Sequence, residues 1–255
     1  MTNPSLPEPL TESPPAFRID SPRRSTAVAI LCGLWLIIFF ASLFAPPLLD
    51  DADATHANAA RHMALTGDLV TLHVNGIRYL EKAPLPYWLS ALSFRLFGFN
   101  TFAAHLPQAI GVLLLALLGF YWAGRAFDDR TAFYTGLGVL TSIGVFLFTR
   151  IYIPEVLLTL FLCSSLYCML CALEDRESTN RTFSPATCAY LMWASLALAV
   201  LTKGLVAIVF LGGTAIAYLV LTGEYKKWRA LKPFTGTILF LAIAAPWHIL
   251  AGLRN

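Results

Sequence analysis

The stretch TAVAILCGLWLIIFFASLFAPPLL (residues 26–49), followed at once by DDAD (residues 50–53), decides the fold class of this chain. The apolar part carries no charge and is long enough for a helix to cross a hydrocarbon core of ~30 Å. It is too long for the core of a signal peptide, and no convincing cleavage site follows it, so we interpret it as an uncleaved anchor. Charged residues beside or within a membrane are costly and usually serve a function.

The composition of the whole chain is typical of a membrane protein. Its 255 residues are 57% hydrophobic and only 13% charged, whereas a soluble domain is about 25% charged. The net charge of +3 is small, and without a cluster of lysine and arginine we expect no nucleic acid partner. The cysteines lie in or beside apolar segments, so even the pair Cys168 and Cys171 is interpreted as packing residues.

Seven apolar segments predict an all-α, polytopic membrane fold with about seven transmembrane helices. The polar, proline-rich residues 1–25 form a tail that we expect to be disordered and cytoplasmic. Residues 26–255 then form one transmembrane domain, and residues 50–100 are its long outer loop. After the first span at 26–49, the predicted spans are 101–123, 131–149, 156–173, 186–202, 205–221 and 234–251.

The distribution of basic residues predicts the orientation of these spans. Lysine and arginine concentrate in cytoplasmic loops, and here they collect before the first span and in every second connector after it. Among the short connectors after the second span, the opposite ones carry only Arg150 and Lys203. We therefore expect the N-terminus to be cytoplasmic. The 50–100 loop, Glu155 and Lys203 then share the outer face, where distant charges can form one site.

The outer loop has local signals for ordered structure. Asp53 is placed to cap a helix over 54–65, and Asn75-Gly76 is a strong turn signal. A second helix is predicted over 86–97, ended by Gly98. Two interfacial helices would therefore frame the acidic cluster.

Several motifs in this order resemble the GT-C polyprenyl-phosphate-dependent glycosyltransferases, which include bacterial aminoarabinose transferase and protein O-mannosyltransferases. The resemblance extends over about residues 26–255, and its most specific part is the Tyr-Leu-Glu-Lys-Ala-Pro-Leu block. The motifs are Asp51-Ala52-Asp53, Tyr79-Leu80-Glu81-Lys82-Ala83-Pro84-Leu85, Arg150-Ile151-Tyr152-Ile153-Pro154-Glu155, Leu201-Thr202-Lys203-Gly204 and Pro246-Trp247-His248. Because members of this family are considerably longer, we expect the chain to be the catalytic N-terminal part of a larger protein or a natural short form.

The resemblance implies a role for the acidic residues. Asp53 matches the catalytic carboxylate, which takes the proton from an acceptor hydroxyl in an inverting transfer. Many members have an adjacent Asp-Glu pair, whereas Ala52 precedes Asp53 here, so Asp51 or Asp50 is a candidate for the second acidic role. The plain alternative is that Asp53 only caps its helix.

The resemblance also implies how the lipid donor is held. Lys82 matches the lysine that meets the carrier phosphate, where a fixed cation stabilises the leaving group. Lys203 is a second candidate for phosphate or headgroup contact. The plain alternative for Lys82 is a surface lysine paired with Glu81.

Glu155 is expected to orient the acceptor or to hold a divalent cation, Mg²⁺ or Mn²⁺, together with Asp53. Its plain alternative is an ion pair with Arg150. Further site candidates are Glu81, Arg78 and His248, and metal ligation by His56 is a weaker idea.

The sequence thus predicts a membrane glycosyltransferase, a hexosyl- or pentosyltransferase. It would move a sugar from a polyprenyl-phosphate donor to lipid A, a protein or a glycan on the outer face. The alternative is a transporter or lipid-carrier flippase. We disfavour it because the charges collect at one end of the spans and no internal repeat is visible.

Overall fold

The structure is a computed structural model that describes residues 23–45, 47–48, 51–174 and 183–255. Residues 1–22 of the predicted disordered tail and Asp50 lie outside these residues, as does the side chain of Asp51, whereas Arg24 and Ser25 of that tail begin the first helix. The described part is almost entirely helical, as the composition indicates. Its helices are α1 (Arg24–Trp35), α2 (Asp51–Thr66), α3 (Leu85–Phe97), α4 (Thr101–Ala126), α5 (Asp129–Thr141), α6 (Ile143–Arg150), α7 (Glu155–Leu173), α8 (Pro185–Lys203), α9 (Val206–Leu221) and α10 (Pro233–Arg254).

The first span continues beyond α1 through a π-helical turn (Leu36–Phe40) and a 3-10 turn (Ala41–Phe44). Together with α1 these turns form one apolar helix, Arg24–Phe44, of 21 residues. A second 3-10 segment, Tyr225–Leu231, joins α9 to α10. The anchor predicted from the opening stretch is therefore present, and it ends a few residues earlier than expected.

Among the residues that the structure describes, five helices are long and apolar enough to cross a membrane, and the bent pair α5–α6 makes a sixth if it is one span. The bend of 45° lies at Ser142, whose backbone is extended and interrupts the predicted 131–149 span. The last candidate, α9, has 16 residues and so measures only about 24 Å. The polytopic fold is confirmed, whereas the count of seven spans stays a prediction.

The helices pack as three hydrophobic clusters. The first joins α1, α4 and α5 around Leu31 and Val112, and the second joins α7, α8, α9 and α10 around Met169 and Val200. The third lies under the outer loop, where α2 and α3 meet the start of α4 and the buried Tyr152. This third cluster attaches the outer loop to the spans and fixes the position of its polar residues.

The outer loop has the two predicted helices, α2 and α3, joined by a small β-hairpin. Strands β1 (His73–Val74) and β2 (Ile77–Arg78) pair antiparallel. Both turn residues have positive φ, 52° for Asn75 and 82° for Gly76, as a two-residue hairpin turn requires. Helix α3 ends at Gly98 as predicted, with φ of 83°.

Helix α2 differs from its prediction at its N-terminus. It begins at Asp51 rather than after Asp53, so Asp53 lies within the first turn and is not the capping residue. Its carboxylate turns inward to partners on other elements. The alternative that Asp53 only caps a helix is therefore wrong.

Close packing between α8 and α10 gives a test of the fold. A Cβ added at Gly236 would lie 2.0 Å from the indole ring of Trp193, which is itself held by donation to the Leu231 carbonyl oxygen. We expect Gly236→Ala to destabilise the protein by about 1–3 kcal/mol, because such overpacking forces the helices apart. Gly252→Ala in the same helix is the control, since nothing lies within 4 Å of its added Cβ.

Thermal unfolding of both variants in the same detergent measures this difference. The control is expected to match or slightly exceed the wild-type midpoint, because alanine favours a helix over glycine. Equal midpoints for Gly236→Ala and the control would contradict the packing of α10 against α8.

Candidate functional site

A cavity of about 300 Å³ opens at one end of the helix bundle, where three separate connectors meet. The loop before α3 contributes Glu81 and Lys82. Residues 152–155 contribute the second wall, and the end of α8 contributes Thr202 and Lys203. Four of the charged residues that we predicted to share the outer face thus line one cavity: Glu81, Lys82, Glu155 and Lys203. Glu81 and Lys203 are more than a hundred positions apart in the sequence.

Glu155 and Lys203 form an ion pair across the cavity wall. Glu155 is the first residue of α7 and Lys203 the last of α8, so the antiparallel pair of helices brings them together. The predicted alternative, a pair between Glu155 and Arg150, is wrong: the Arg150 guanidinium donates to the Ala45 carbonyl oxygen.

The second carboxylate oxygen of Glu155 is enclosed and accepts no hydrogen bond from the residues that the structure describes. A buried acceptor without a donor is costly, by about 1–3 kcal/mol. In a wall of a ligand-sized cavity, such an atom is suited to meet a donor group of a bound molecule.

Lys82 is exposed at the mouth of the cavity beside Glu81. Within the described ranges these two residues form no ion pair, so the alternative in which Lys82 pairs with Glu81 is wrong. An exposed ammonium group at a cavity mouth is available to an anionic ligand.

Asp53 lies behind the cavity wall rather than in it. Its side chain is buried, with a residue exposure of 5%, and one carboxylate oxygen takes two partners. His105 Nε2 lies 2.9 Å from this oxygen, and the backbone N–H of Tyr152 donates to it at 3.0 Å. His105 belongs to α4 and is 1% exposed, so the two side chains form a buried acid–base pair.

Tyr152 separates Asp53 from the cavity and is itself fixed on several sides. Its hydroxyl donates to the Pro86 carbonyl oxygen at 2.9 Å and lies 2.6 Å from the Ser90 hydroxyl. Burial raises the pKa of the Tyr152 phenol well above its usual value, so the ring stays neutral. The connector that carries Tyr152 is therefore a rigid part of the site.

His56 lines the cavity from helix α2, one turn beyond Asp53. Its Nδ1 atom lies 2.5 Å from the Tyr152 carbonyl oxygen, and its ring packs against Tyr79, Tyr87 and Tyr152. Burial lowers the pKa of His56, and the positive charge of Lys82 adds to this. The Tyr152 carbonyl and the charges of Asp53 and Glu155 oppose it. The neutral imidazole is thereby favoured.

Two predicted site residues are outside this arrangement. Arg78 lies exposed on strand β2. His248 lies on α10, where its Nδ1 meets the Ala244 carbonyl oxygen. Neither lines the cavity, so the structure brings together Glu81, Lys82, Glu155 and Lys203, with Asp53 directly behind them.

The predicted metal site is not assembled in this arrangement. Across residues 23–45, 47–48, 51–174 and 183–255, no three histidine, cysteine, aspartate or glutamate side chains are placed to hold an ion. Asp53 is bonded to His105, and Glu155 is paired with Lys203. The described side chains therefore form no metal centre, and a divalent cation stays a prediction.

Sequence reasoning missed two residues of the site, His105 and Tyr152. His105 is an ionisable residue inside an apolar span, which is a functional signal by itself. Tyr152 belongs to the motif 150–155, in which Glu155 is the predicted site residue. Nothing in the spacing of the motif indicates that Tyr152 forms hydrogen bonds with both α2 and α3.

The opposite end of the bundle carries the other charged connectors. Arg24 meets Asp129 there at 2.6 Å, and Arg125, at the end of α4, pairs with Glu174 after α7. The predicted alternation of connectors between two ends is therefore present in the fold.

Comparison with known proteins gives relatives that are named arabinosyl transferases and others that are named only as uncharacterized proteins. The chain is 28% identical over 223 residues to the undecaprenyl phosphate-alpha-4-amino-4-deoxy-L-arabinose arabinosyl transferase of Aeromonas salmonicida, covering 87% of this chain and 40% of the relative. It is 30% identical over 195 residues to an uncharacterized protein of Aquifex aeolicus, covering 75% and 41%. The crystal structure of ArnT from Cupriavidus metallidurans bound to undecaprenyl phosphate matches with a TM-score of 0.84 at 27% identity. That match covers 91% of this chain and 42% of that one.

The matched proteins are considerably longer than this chain, but they share its fold. The chain spans about two fifths of the length of the curated relatives it matches. The helical membrane fold is shared with the apo structure of the same ArnT over 91% of this chain. The profile of the dolichyl-phosphate-mannose-protein mannosyltransferase family matches residues 81–250, about two thirds of the chain, from Glu81 through Lys203. The chain therefore belongs to this glycosyltransferase family of multi-pass membrane proteins.

Proposed function

We propose that the protein transfers a single sugar from a polyprenyl-phosphate donor to an acceptor at the outer face of a bacterial inner membrane. The observation that carries the proposal is the convergence of Lys82, Glu155 and Lys203 on one cavity at the end of the spans. The relatives that are named arabinosyl transferases, and the related structure bound to undecaprenyl phosphate, support the same donor class.

The cavity supports a monosaccharide rather than a long glycan. Its volume of about 300 Å³ is at the lower end of the range for ligand pockets. Lys82 at the mouth would hold the phosphate, and the carrier lipid would extend from there into the membrane. The unpaired oxygen of Glu155 would accept a hydrogen bond from a hydroxyl or amino group of the sugar.

In the proposed reaction the acceptor hydroxyl attacks the anomeric carbon, and the bond to the phosphate oxygen breaks with inversion. The leaving phosphate gains negative charge, which the ammonium group of Lys82 stabilises. The acceptor hydroxyl gives up its proton to a base at the cavity wall as the new bond forms, and the Asp53 carboxylate behind the wall supplies the negative charge that favours this transfer.

The donor sugar and acceptor are proposed from the relatives' names. The cavity is lined by two carboxylates, Glu81 and Glu155, and by two lysines. A carboxylate can therefore meet the amino group of 4-amino-4-deoxy-arabinose, a pentose, while a lysine meets the phosphate. Lipid A is the proposed acceptor, with protein and glycan hydroxyls as the competing choices. The proposed topology places the N-terminus in the cytoplasm, so that the cavity opens to the periplasm.

The test is sugar transfer by the full natural protein in liposomes, with labelled undecaprenyl-phosphate-aminoarabinose and labelled polyprenyl-phosphate-mannose compared on lipid A and on protein. We expect transfer from the aminoarabinose donor to lipid A. Transfer from the mannose donor to protein would move the assignment to a hexosyltransferase. Donor movement between leaflets without any sugar transfer would instead support the transporter alternative.

Glu155→Gln gives a sharper test of the sugar contact. We expect the affinity for the sugar-bearing donor to fall about tenfold, because a hydrogen bond to a charged group contributes roughly 1.5–3 kcal/mol. Affinity for undecaprenyl phosphate alone should not fall, since the variant removes a negative charge beside Lys203. Binding to the protein in nanodiscs measures both affinities.

Glu224→Gln is the matched control, since Glu224 also pairs with a lysine, Lys227, but at the other end of the bundle. Its donor affinity should equal that of the wild type. An equal loss of affinity for both ligands in Glu155→Gln would refute the sugar contact.

A further inference from the structure

The cavity wall presents one basic nitrogen that the proposed function does not yet use. His56 lines the cavity, whereas the Asp53 carboxylate lies behind Tyr152 and is bonded to His105. An acceptor hydroxyl in the cavity therefore reaches the His56 ring before it reaches Asp53. A general base must come within hydrogen-bond distance of the proton that it removes.

The Tyr152 carbonyl fixes the tautomer of His56. A carbonyl oxygen only accepts hydrogen bonds, so the Nδ1 atom that lies 2.5 Å from it carries the proton. In the neutral ring the lone pair is then on Nε2. Among the described residues no group forms a hydrogen bond with Nε2. This atom is also not enclosed, since it is absent from the buried polar atoms that have no partner. The basic nitrogen therefore opens on the cavity.

We infer that His56 is the general base of the transfer and that Asp53 acts through it. This inference rests on the proposed function. The acceptor oxygen bonds to the anomeric carbon as its proton moves to His56 Nε2. The bond between the anomeric carbon and the phosphate oxygen breaks, and its electron pair stays on the phosphate beside Lys82. The imidazolium then releases its proton to water or to the departing phosphate.

The surroundings of His56 suit this cycle. Tyr152 connects the two residues, since its N–H donates to Asp53 and its carbonyl oxygen accepts from His56. The negative charge of Asp53 stabilises the imidazolium that forms, while burial keeps the resting pKa of His56 low. The titratable groups that face the ring or share its cavity are Asp53, Tyr79, Glu81, Lys82, Tyr87, Tyr152, Glu155 and Lys203.

The test compares the pH dependence of turnover in the wild type and in His56→Asn. The asparagine amide keeps a donor for the Tyr152 carbonyl but has no basic nitrogen. We expect kcat to fall about 10²-fold or more, the usual contribution of a general base, with the donor KM unchanged. The wild-type rate should rise with pH through the His56 pKa, which lies below 6.5. This rise, the acidic limb of the pH profile, should be absent in the variant.

Two further variants separate chemistry from folding. In His56→Ala, added imidazole should restore part of kcat, which a structural role would not allow. His62→Asn, on the same helix with its ring against His73, is the control and should keep both the rate and the limb. Wild-type kcat and an intact limb in His56→Asn would overturn the inference, as would loss of activity in His56→Ala without imidazole rescue. If the wild type transfers no sugar at all, the proposed function itself fails.

Discussion

Lys82→Ala is expected to lower the rate of sugar transfer by about 10²–10³-fold, the effect of removing one group that stabilises developing negative charge. Lys82 is exposed at the mouth of the cavity and is not held in an ion pair by Glu81, so its removal should leave the fold intact. Turnover at saturating donor, measured with thermal unfolding on the same preparation, checks this result.

Two comparisons make the Lys82 prediction specific. Lys82→Arg keeps the charge and should retain a substantial part of the activity, although the guanidinium has a different shape. Lys226→Ala removes the same charge from an exposed position in the 3-10 segment at the other end of the bundle, and it should have no effect. Wild-type turnover in Lys82→Ala would remove the phosphate role from the proposal.

Asp53→Asn is expected to have the second large effect, on both stability and activity. Removing one partner of a buried pair costs about 3–5 kcal/mol, because His105 would then lose its acid–base partner in the third hydrophobic cluster. Turnover should fall by at least 10²-fold, since the charge that stabilises the protonated His56 is lost. Chemical or thermal unfolding, together with the transfer assay, measures the two losses.

A double-mutant cycle with His105→Gln separates the parts of the Asp53 effect. The stability losses of the two single variants should not add in the double variant, since each breaks the same bond. Additive losses would show that the pair is not coupled. Normal stability together with normal turnover in Asp53→Asn would contradict its place behind the cavity wall.

The sequence was sufficient for those parts of the fold that depend on local pattern. The length of each apolar segment predicts a helix, although not the number of spans, and the Asn75-Gly76 signal predicts the turn that the structure has. The meeting of Lys82, Glu155 and Lys203 followed from the alternation of connectors between two faces, because each span reverses the direction of the chain.

Other parts depend on packing between distant segments, which no local pattern records. The inward turn of Asp53 is set by His105 from α4 and by the Tyr152 N–H. The pairing of Glu155 with Lys203 instead of Arg150 follows from the contact between α7 and α8. The break at Ser142 had a weak signal in the nearby Gly144, since Ser and Gly together favour helix kinks.

Because the cavity is assembled from helix α2 and three connectors, no single segment contains the proposed site. Its geometry exists only while the bundle holds its lateral order. A harsh detergent that disrupts the packing between helices but preserves each helix would abolish turnover, whereas the far-UV circular dichroism spectrum would remain unchanged. Lipid surroundings are in this sense a structural component of the enzyme, and preparations should be judged by activity rather than by helical content.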